Sequence, residues 1–527
     1  MASNHNTLNS SRVAIIGAGV SGLAAAKHLA RHNPTVFEAS DSVGGVWRNC
    51  TYGTTKLQSP RASYEFSDFL WHDGNNTAFP TYVEILDYLE SYAKHFDLFK
   101  YIKFGSKVTE VRFNGEVEAP QMVGLGDYGN LLPGKPVWEV AVQTRDRNPE
   151  DIQWHAFEFV VICTGKYGDV PRIPTFPLKK GPEIFNGTVM HSLDYCKLEK
   201  EEASHLLRGK KVAVVGFKKS AIDLALETKY LNIAGEGGQA CTMVVRTPHW
   251  VIPHYWIWGL PFFLFYSTRA SQFIHDRPNQ SFLRTLFYLL FSLLRTVVSK
   301  FIESYVMWKL PLKKYGLKPD HPFEEDYASC QMALVPDNFF EAADKGMIRF
   351  RKTSKWCFYD KGIEFEDGTT LEADVVILAT GYDGDKKLKA IIPEAFRTWL
   401  EFPCGLMPLY RATIHPLIPN MGFVGYVQSN WNVRTAELSS MWLSRLMDEK
   451  FKLPSKEKML DQFFKEVEVM KRSSRFYTNH CFSTFIIQHA DDLCNDMGLN
   501  PWRKSNFFRD VFCPYGSQDY RFDQEET

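Results

Sequence analysis

Near the start of the chain, Val13-Ala-Ile-Ile-Gly17-Ala18-Gly19-Val20-Ser21-Gly22 sets three glycines in G-x-G-x-x-G spacing directly behind four apolar residues. An apolar run this short, bounded by glycine, reads as a strand buried on both faces, as in a parallel sheet. Leu23–His32 then carries a helical pattern and Thr35–Glu38 a second strand, so the segment is a βαβ unit of about 30 residues. Each glycine does something a side chain would obstruct. Gly17 permits the tight turn, Gly19 lets backbone approach a pyrophosphate, and Gly22 lets helix close on strand. Together with Ala18, Val20 and Ser21 they form the loop where N–H groups of the helix start face phosphate oxygens. Glu38 follows Gly22 by 16 residues. A carboxylate there accepts hydrogen bonds from a ribose diol and repels a 2′-phosphate, which favours FAD or NAD over NADP. Gly44-Gly45-Val46-Trp47-Arg48 comes soon after. Alone it is an unremarkable turn, but its place just after the ribose-binding Glu38 makes Gly45, Val46 and Trp47 candidates for the same FAD-binding set.

The pattern recurs. Lys211–Val215 reads as a strand, Ser220–Tyr230 as a helix and Thr242–Val245 as the next strand, while Phe159–Gly165 and Ala373–Gly381 are strands that both end in Thr-Gly. One βαβ unit and one such strand pair up twice. The fold class is therefore α/β, with two Rossmann-like dinucleotide-binding domains, the second inserted into the first, plus a helical, aromatic-rich insertion. Residues 1–170 are assigned to the first part of the FAD domain and 171–370 to the NADPH domain with its insertion at about 250–326. Residues 371–527 are assigned to the rest of the FAD domain and a C-terminal helical segment. The second nucleotide loop, Val215-Gly216-Phe217-Lys218-Lys219-Ser220-Ala221, puts Lys218 where a second glycine is expected. Its Cβ lies where backbone approaches a pyrophosphate, and its ammonium either contacts phosphate as a point charge or faces solvent. Arg246 ends the following strand with no acidic residue beside it, and with Lys219 nearby it can fork to a 2′-phosphate, which favours NADPH.

Composition excludes several other classes. Lys+Arg and Asp+Glu are 61 each, leaving no basic face for nucleic acid. The ten cysteines never form C-x-x-C, so neither a metal site nor a redox dithiol is expected. Scattered cysteines and a polar first ten residues without a signal peptide suggest reduced thiols in an intracellular protein, cytosolic or on the cytosolic face of the endoplasmic reticulum. Phe282–Phe301 holds the apolar run Leu286–Leu294 between Arg284 and Arg295. It falls short of the roughly 20 apolar residues of a spanning helix. A buried or partly interfacial helix is expected, with no transmembrane span and peripheral membrane contact open.

Phe185-Asn-Gly187-Thr-Val-Met-His191-Ser-Leu-Asp-Tyr195 fits F-x-G-x-x-x-H-x-x-x-Y just before the second nucleotide-binding strand. There it resembles the signature of the class B flavin-containing monooxygenases. KVAVVGFKKSAIDLAL from Lys211 and MPLYRATIHPLIPNMGFVGY from Met407 resemble the plant branch of that family linked to pipecolate N-hydroxylation in systemic acquired resistance. The resemblance implies that NADPH reduces FAD, that O2 adds to give a C4a-hydroperoxide, and that one oxygen atom passes to a nucleophilic nitrogen or sulfur of a small molecule. Phe185, Gly187, His191 and Tyr195 are the signature's four specified positions, and His191 among them is assigned to linker geometry between domains rather than to proton transfer. Gln58 stands where relatives place an Asn that reaches flavin and nicotinamide. Arg411, Arg434 and the aromatics Trp250 to Trp258 are candidates for an amine or amino-acid substrate. A Baeyer–Villiger oxygenase shares the cofactors but usually has Trp at the Tyr195 position. The auxin-forming branch resembles a shorter chain without much of Trp250–Asp326. A lapsed flavoprotein, acting as an uncoupled NADPH oxidase or an interaction protein, finds support in Lys218 and Gln58.

Overall fold

The computed structural model describes residues 11–72, 78–115, 125–145, 151–233 and 238–522. The polar first ten residues lie outside them. Two five-stranded parallel sheets organise the chain. The chain runs through β1 (Val13–Ile16), β2 (Thr35–Phe37), β3 (Ile102–Lys103) and β4 (Phe159–Ile162). It then supplies β5 (Thr188–His191), β6 (Val212–Val215), β7 (Cys241–Val245), β8 (Ile348–Lys352) and β9 (Val375–Leu378), and returns with β10 (Met421–Phe423). The sheet orders are β10-β4-β1-β2-β3 and β8-β7-β6-β9-β5. All four residues of β1, β4, β6 and β9 are buried, which is why their apolar runs show no alternation.

One expected boundary moves. Residues from 371 were assigned to the first domain, but β9 is a central strand of the second sheet, with Val375 opposite both Val212 and Thr188. A strand that ends in Thr-Gly looks alike in both sheets, and only its pairing tells them apart. Antiparallel three-stranded sheets, Ser106–Phe113 with Trp138–Thr144 and Ile152–Phe157, and Trp356–Tyr359 with Gly362–Phe365 and Thr370–Glu372, sit alongside the parallel ones.

Helix α1 (Val20–His28) starts inside the glycine motif, three residues earlier than the pattern suggested, because Gly19 is its N-cap. It stops at Leu29 and gives way to a 3-10 turn that ends on Asn33 in the left-handed region. Helix α2 (Lys219–Ile233) repeats this arrangement behind β6. The insertion is less helical than expected, opening with short strands at Val251–Ile252, Trp256–Ile257 and Leu260–Pro261. It then forms α3 (Phe282–Lys309), a single helix of 28 residues. The expectation of a buried helix fails here, for only 11% of its most apolar 18-residue window is buried, and by length and composition the helix could cross a membrane. Helix α4 (Asn432–Met447) is buried on nearly all sides and packs on α1, whose Ala24-Ala25-Ala26 lets the two axes approach closely. Helix α5 (Ile486–Asp496) and the short α6 (Phe507–Phe512) close the C-terminal part.

The expectation of reduced thiols throughout is also corrected. Cys330, just after the helix Phe323–Ala328 of the insertion, is disulfide-bonded to Cys481, just before α5. With the two 151 positions apart in the sequence, nothing local marks the pair. The other eight cysteines are free.

Arg411 is the main polar fastener of the C-terminal helices. Its Nε and Nη2 donate to Asp496 and its Nη1 to Asp492 at 2.7–3.1 Å, while Trp442 Nε1 donates to the same Asp496 at 3.0 Å. Arg411→Met would leave two half-buried carboxylates without their cation. We expect a loss of about 2–4 kcal/mol, read as a lower melting temperature, because charged groups stripped of their partner keep their desolvation cost.

Candidate dinucleotide sites and the hinge between them

At the first site two loops cross where neither has a side chain. A Cβ on Gly19 would stand 3.5 Å from Gly45 Cα, and one on Gly45, whose φ is +55°, would stand 3.1 Å from Gly19 Cα. A Cβ on Gly22 would overlap the carbonyl oxygen of Gly17, so its first obstacle is its own turn rather than the neighbouring strand. Glu38, buried at the end of β2, is fixed by both oxygens, with Oε2 accepting from Ala18 N–H at 2.6 Å and Oε1 from Ser40 N–H at 2.8 Å. Each oxygen keeps a lone pair for a ribose hydroxyl. No side chain caps the start of α1, so its first N–H groups remain available to a phosphate. Trp47 Nε1 donates to Tyr64 Oη at 2.6 Å, and Val46 is exposed beside it. A bare-backbone crossing, a fixed carboxylate and an uncapped helix start fit FAD.

The second site is built the same way with opposite charge. Gly216 has φ +139°, and a Cβ there would stand 2.6 Å from Ala379 O. Val215 and Phe217 are buried, and Ser220 uses its carbonyl to accept from Tyr52 Oη at 3.0 Å. Lys219, expected near the phosphate, is instead held by Asp223 one turn on, a carboxylate four residues ahead that the loop pattern did not weigh. Lys218 is the cation facing the cleft. Its side chain is exposed there yet crowded by protein, and lost solvation pulls its ammonium down to about 8. Asp326 opposes this while Arg172 and Arg246 reinforce it. Arg246 is exposed at the end of β7. Two guanidinium groups that depress one ammonium make a cationic cluster suited to a group with several negative charges, such as the phosphates of NADPH. Arg172 carried no sequence signal; only the fold brings it to this cleft.

His249, His321 and Asp326, the last within electrostatic reach of Lys218, are close enough to be considered as a metal-ligand set. Asp326 is already committed, however. It accepts from His249 Nδ1 at 2.8 Å and Trp250 N–H at 2.5 Å, with His321 Nε2 at 2.9 Å. The cluster is accounted for as a hydrogen-bonded support.

The signature segment lies where the two sheets are joined. Two chain crossings run side by side there, with Arg172 N–H donating to Gly381 O and Asp383 N–H to Val170 O, both at 2.9 Å. His191, at the end of β5 and opposite Leu378, is buried and caps the turn Ser192–Tyr195 by accepting from Leu193 N–H through Nδ1 at 3.0 Å. Burial holds its pKa below the usual histidine value, and its ring meets Tyr382 edge-on. Phe185 packs on Phe358 in the second domain's core, and a Cβ on Gly187 would overlap Asp374 O. Tyr195 meets Tyr52, whose hydroxyl reaches Ser220, so the signature contacts the first domain and the nucleotide helix together. Tyr52 was not singled out from sequence, since a Tyr in a loop carries no pattern.

The remaining candidates separate clearly. Gln58 Oε1 accepts from Leu334 N–H at 3.1 Å and its backbone carbonyl accepts from Tyr255 Oη at 2.9 Å, which leaves the amide NH2 as the end that can serve a cofactor. Trp250 is core, its Nε1 donating to His321 O at 2.8 Å, whereas Trp256 and Trp258 are exposed. Arg411 is consumed by Asp492 and Asp496. Arg434 is buried against Trp431 at 3.6 Å, and its Nε and Nη1 have no acceptor among the described residues.

Two parallel sheets, each with a strand–glycine–helix corner facing a shared hinge, define a two-dinucleotide flavoprotein. The chain belongs to the flavin-binding monooxygenase-like family, whose model matches residues 10–513. It is 80% identical over 527 residues, 100% of this chain and 99% of the other, to the probable flavin-containing monooxygenase 1 of Arabidopsis thaliana. Among solved structures, closed cyclohexanone monooxygenase superposes with a TM-score of 0.64 at 17% identity, covering 92% of this chain and 96% of that one. The OTEMO complex with FAD and NADP gives 0.62 at 19% identity, covering 89% and 92%. The chain is thus an FAD- and NADPH-dependent flavin monooxygenase.

The cation cluster makes a two-part prediction. Lys218→Ala should raise KM for NADPH about tenfold, equivalent to about 1.4 kcal/mol. The charged form of Lys218 is the one that attracts phosphate, so wild-type kcat/KM for NADPH should fall as pH rises through about 8, and this inflection should be missing in the variant. Steady-state NADPH oxidation on both sides of that pH checks both parts.

Proposed function

We propose that the chain transfers one atom of O2 to a nucleophilic nitrogen of a small amine that carries a carboxylate, a class to which the cyclic amino acid pipecolate belongs. For a secondary amine the reaction consumes the amine, O2, NADPH and a proton, and yields the N-hydroxylamine, water and NADP+. Bound FAD supplies electron transfer from NADPH and activation of O2, and the protein supplies placement and exclusion of water. The observation that carries the substrate class is Arg434, a buried guanidinium with two donor nitrogens, Nε and Nη1, unmatched, for such a group calls for an anion. Burial lowers its pKa to about 10, which leaves it cationic at neutral pH. Glu65 lies within electrostatic reach, so the surroundings offer both signs of charge to an amino acid. The resemblance to the plant branch supports a role in plant defence, in the cytosol or at the cytosolic face of the endoplasmic reticulum, and the outward apolar surface of α3 favours membrane contact.

An uncoupled NADPH oxidase is the second reading. It is favoured by Lys218 in a glycine position and by the commitment of the Gln58 carbonyl to Leu334. Counting NADPH oxidised, peroxide released and hydroxylated product formed separates the two. With pipecolate present, product should account for most of the NADPH; peroxide equal to NADPH would leave only the oxidase. Arg434→Gln should raise KM for pipecolate at least about tenfold, or about 1.4 kcal/mol, while leaving piperidine, which lacks the carboxylate, unaffected. Equal effects on both amines would remove Arg434 from the site.

A further inference from the structure

Helix α3 is built inside out. The stripe turned toward the protein is Arg284, Tyr288, Ser292, Arg295 and Ser299, all buried or half-buried at helical spacing. The stripe turned outward is Leu286, Leu290, Leu293 and Val297, and the flanking Phe282 and Leu283 are also exposed, with Phe282 at 82% and Leu293 at 76%. A helix on the surface of a water-soluble body normally shows the reverse. Scattered exposed leucines need no explanation, but a continuous outward stripe of this kind marks a contact surface.

The helix is held to the body at both ends. Near its start the Arg284 guanidinium donates to Gln272 O and lies over the Phe273 ring at 4.2 Å. Toward its end Ile302, Glu303, Tyr305 and Val306 are buried, with Glu303 accepting from Phe323 N–H at 3.1 Å. Fixed at both ends to one surface, it can lie along a bilayer but cannot pass through it. The outward apolar face ends at Val297, where Lys300 and Ser304 continue the same stripe. That is about 24 Å of helix at about 1.5 Å per residue, less than the roughly 30 Å of a hydrocarbon core.

Beyond the apolar face the residues fall in the order of a membrane interface. Trp258 Nε1 donates to Ser304 Oγ at 3.1 Å and its ring lies 4.9 Å from Trp308, so two exposed indoles gather at the end of the stripe. Exposed Lys300, Lys309, Lys313 and Lys318 stand on and beyond it. Indoles favour the headgroup boundary and ammonium groups favour anionic headgroups. A second apolar element joins near the other end, where Ala270 N–H donates to Val511 O and so ties α6, with exposed Phe507, Phe508 and Phe512, to the segment that contacts α3.

We propose that α3 is an interfacial anchor that lies in the plane of an anionic lipid surface, its Leu286–Val297 face among the acyl chains and its tryptophans and lysines among the headgroups. The layered sequence of apolar stripe, indoles and ammonium groups favours lipid over a second copy of this chain, which would offer no such layering.

The full-length holoenzyme is mixed with vesicles of phosphatidylcholine, alone or with phosphatidylserine, and sedimented. Binding should be stronger with phosphatidylserine, and Leu286→Glu/Leu290→Glu/Leu293→Glu should weaken it at least tenfold without changing NADPH oxidation. Lys300→Glu/Lys309→Glu should remove the preference for phosphatidylserine. Because the triple variant could fold poorly, brominated lipid is also added to the wild type, where it should quench indole fluorescence that Trp258→Phe/Trp308→Phe removes. Vesicle binding unchanged in the triple variant, or no quenching in the wild type, overturns the proposal. So does a lipid-free dimer that the triple variant converts to a monomer while vesicles bind neither form.

Discussion

Everything at the centre of this molecule depends on two corners where backbone meets backbone. A Cβ on Gly17 would stand 3.1 Å from Cys163 O, and a Cβ on Gly216 would stand 2.6 Å from Ala379 O. In both cases the first glycine of a nucleotide motif faces the carbonyl just before a Thr-Gly strand end. That contact fixes each helix start against its neighbouring strand, and it places the chain crossing that leaves the strand beside the phosphate loop. The same Thr-Gly ends become the paired hinge at Val170–Arg172 and Gly381–Asp383. The two nucleotide sites and the joint between them therefore share one piece of geometry.

The sheets were legible in the sequence because buried parallel strands are almost wholly apolar and their glycine corners recur at fixed spacing. The outcomes that could not be read were those decided by partners distant in the chain. Lys218 and Lys219 are adjacent and chemically equal in the sequence, yet Asp223 captures one and leaves the other facing the cleft. Arg411 and Arg434 were equal candidates until Asp492 and Asp496 proved to surround the first. Cys330 and Cys481 lie too far apart for spacing to connect them. Gln58 shows an intermediate case. Its importance was visible from its position, but its side-chain carbonyl accepts from Leu334, a residue beyond the insertion that no local pattern pointed to.

Helix α3 exposes a limit of hydropathy itself. An apolar run states that a helix has a face to hide but not which medium hides it. Burial is settled by the stripe that docks, and here that stripe carries Arg284, which donates to Gln272 O on the body, and Arg295, which donates to Tyr288 Oη of the same stripe. Once those bonds form, the leucines have no side left but the outside.

Charge completes the division of labour between the two sites. Glu38 closes the first with a carboxylate pinned by two backbone N–H groups, so it cannot swing away to admit a 2′-phosphate. Lys218, Arg246 and Arg172 open the second with cations that repel one another, a strain that a polyanion relieves. Neither feature alone sorts FAD from NADPH. Ser220, Tyr52 and Tyr195 tie the helix of the second site to the first domain, so two corners of similar fold and opposite charge stand on one joint.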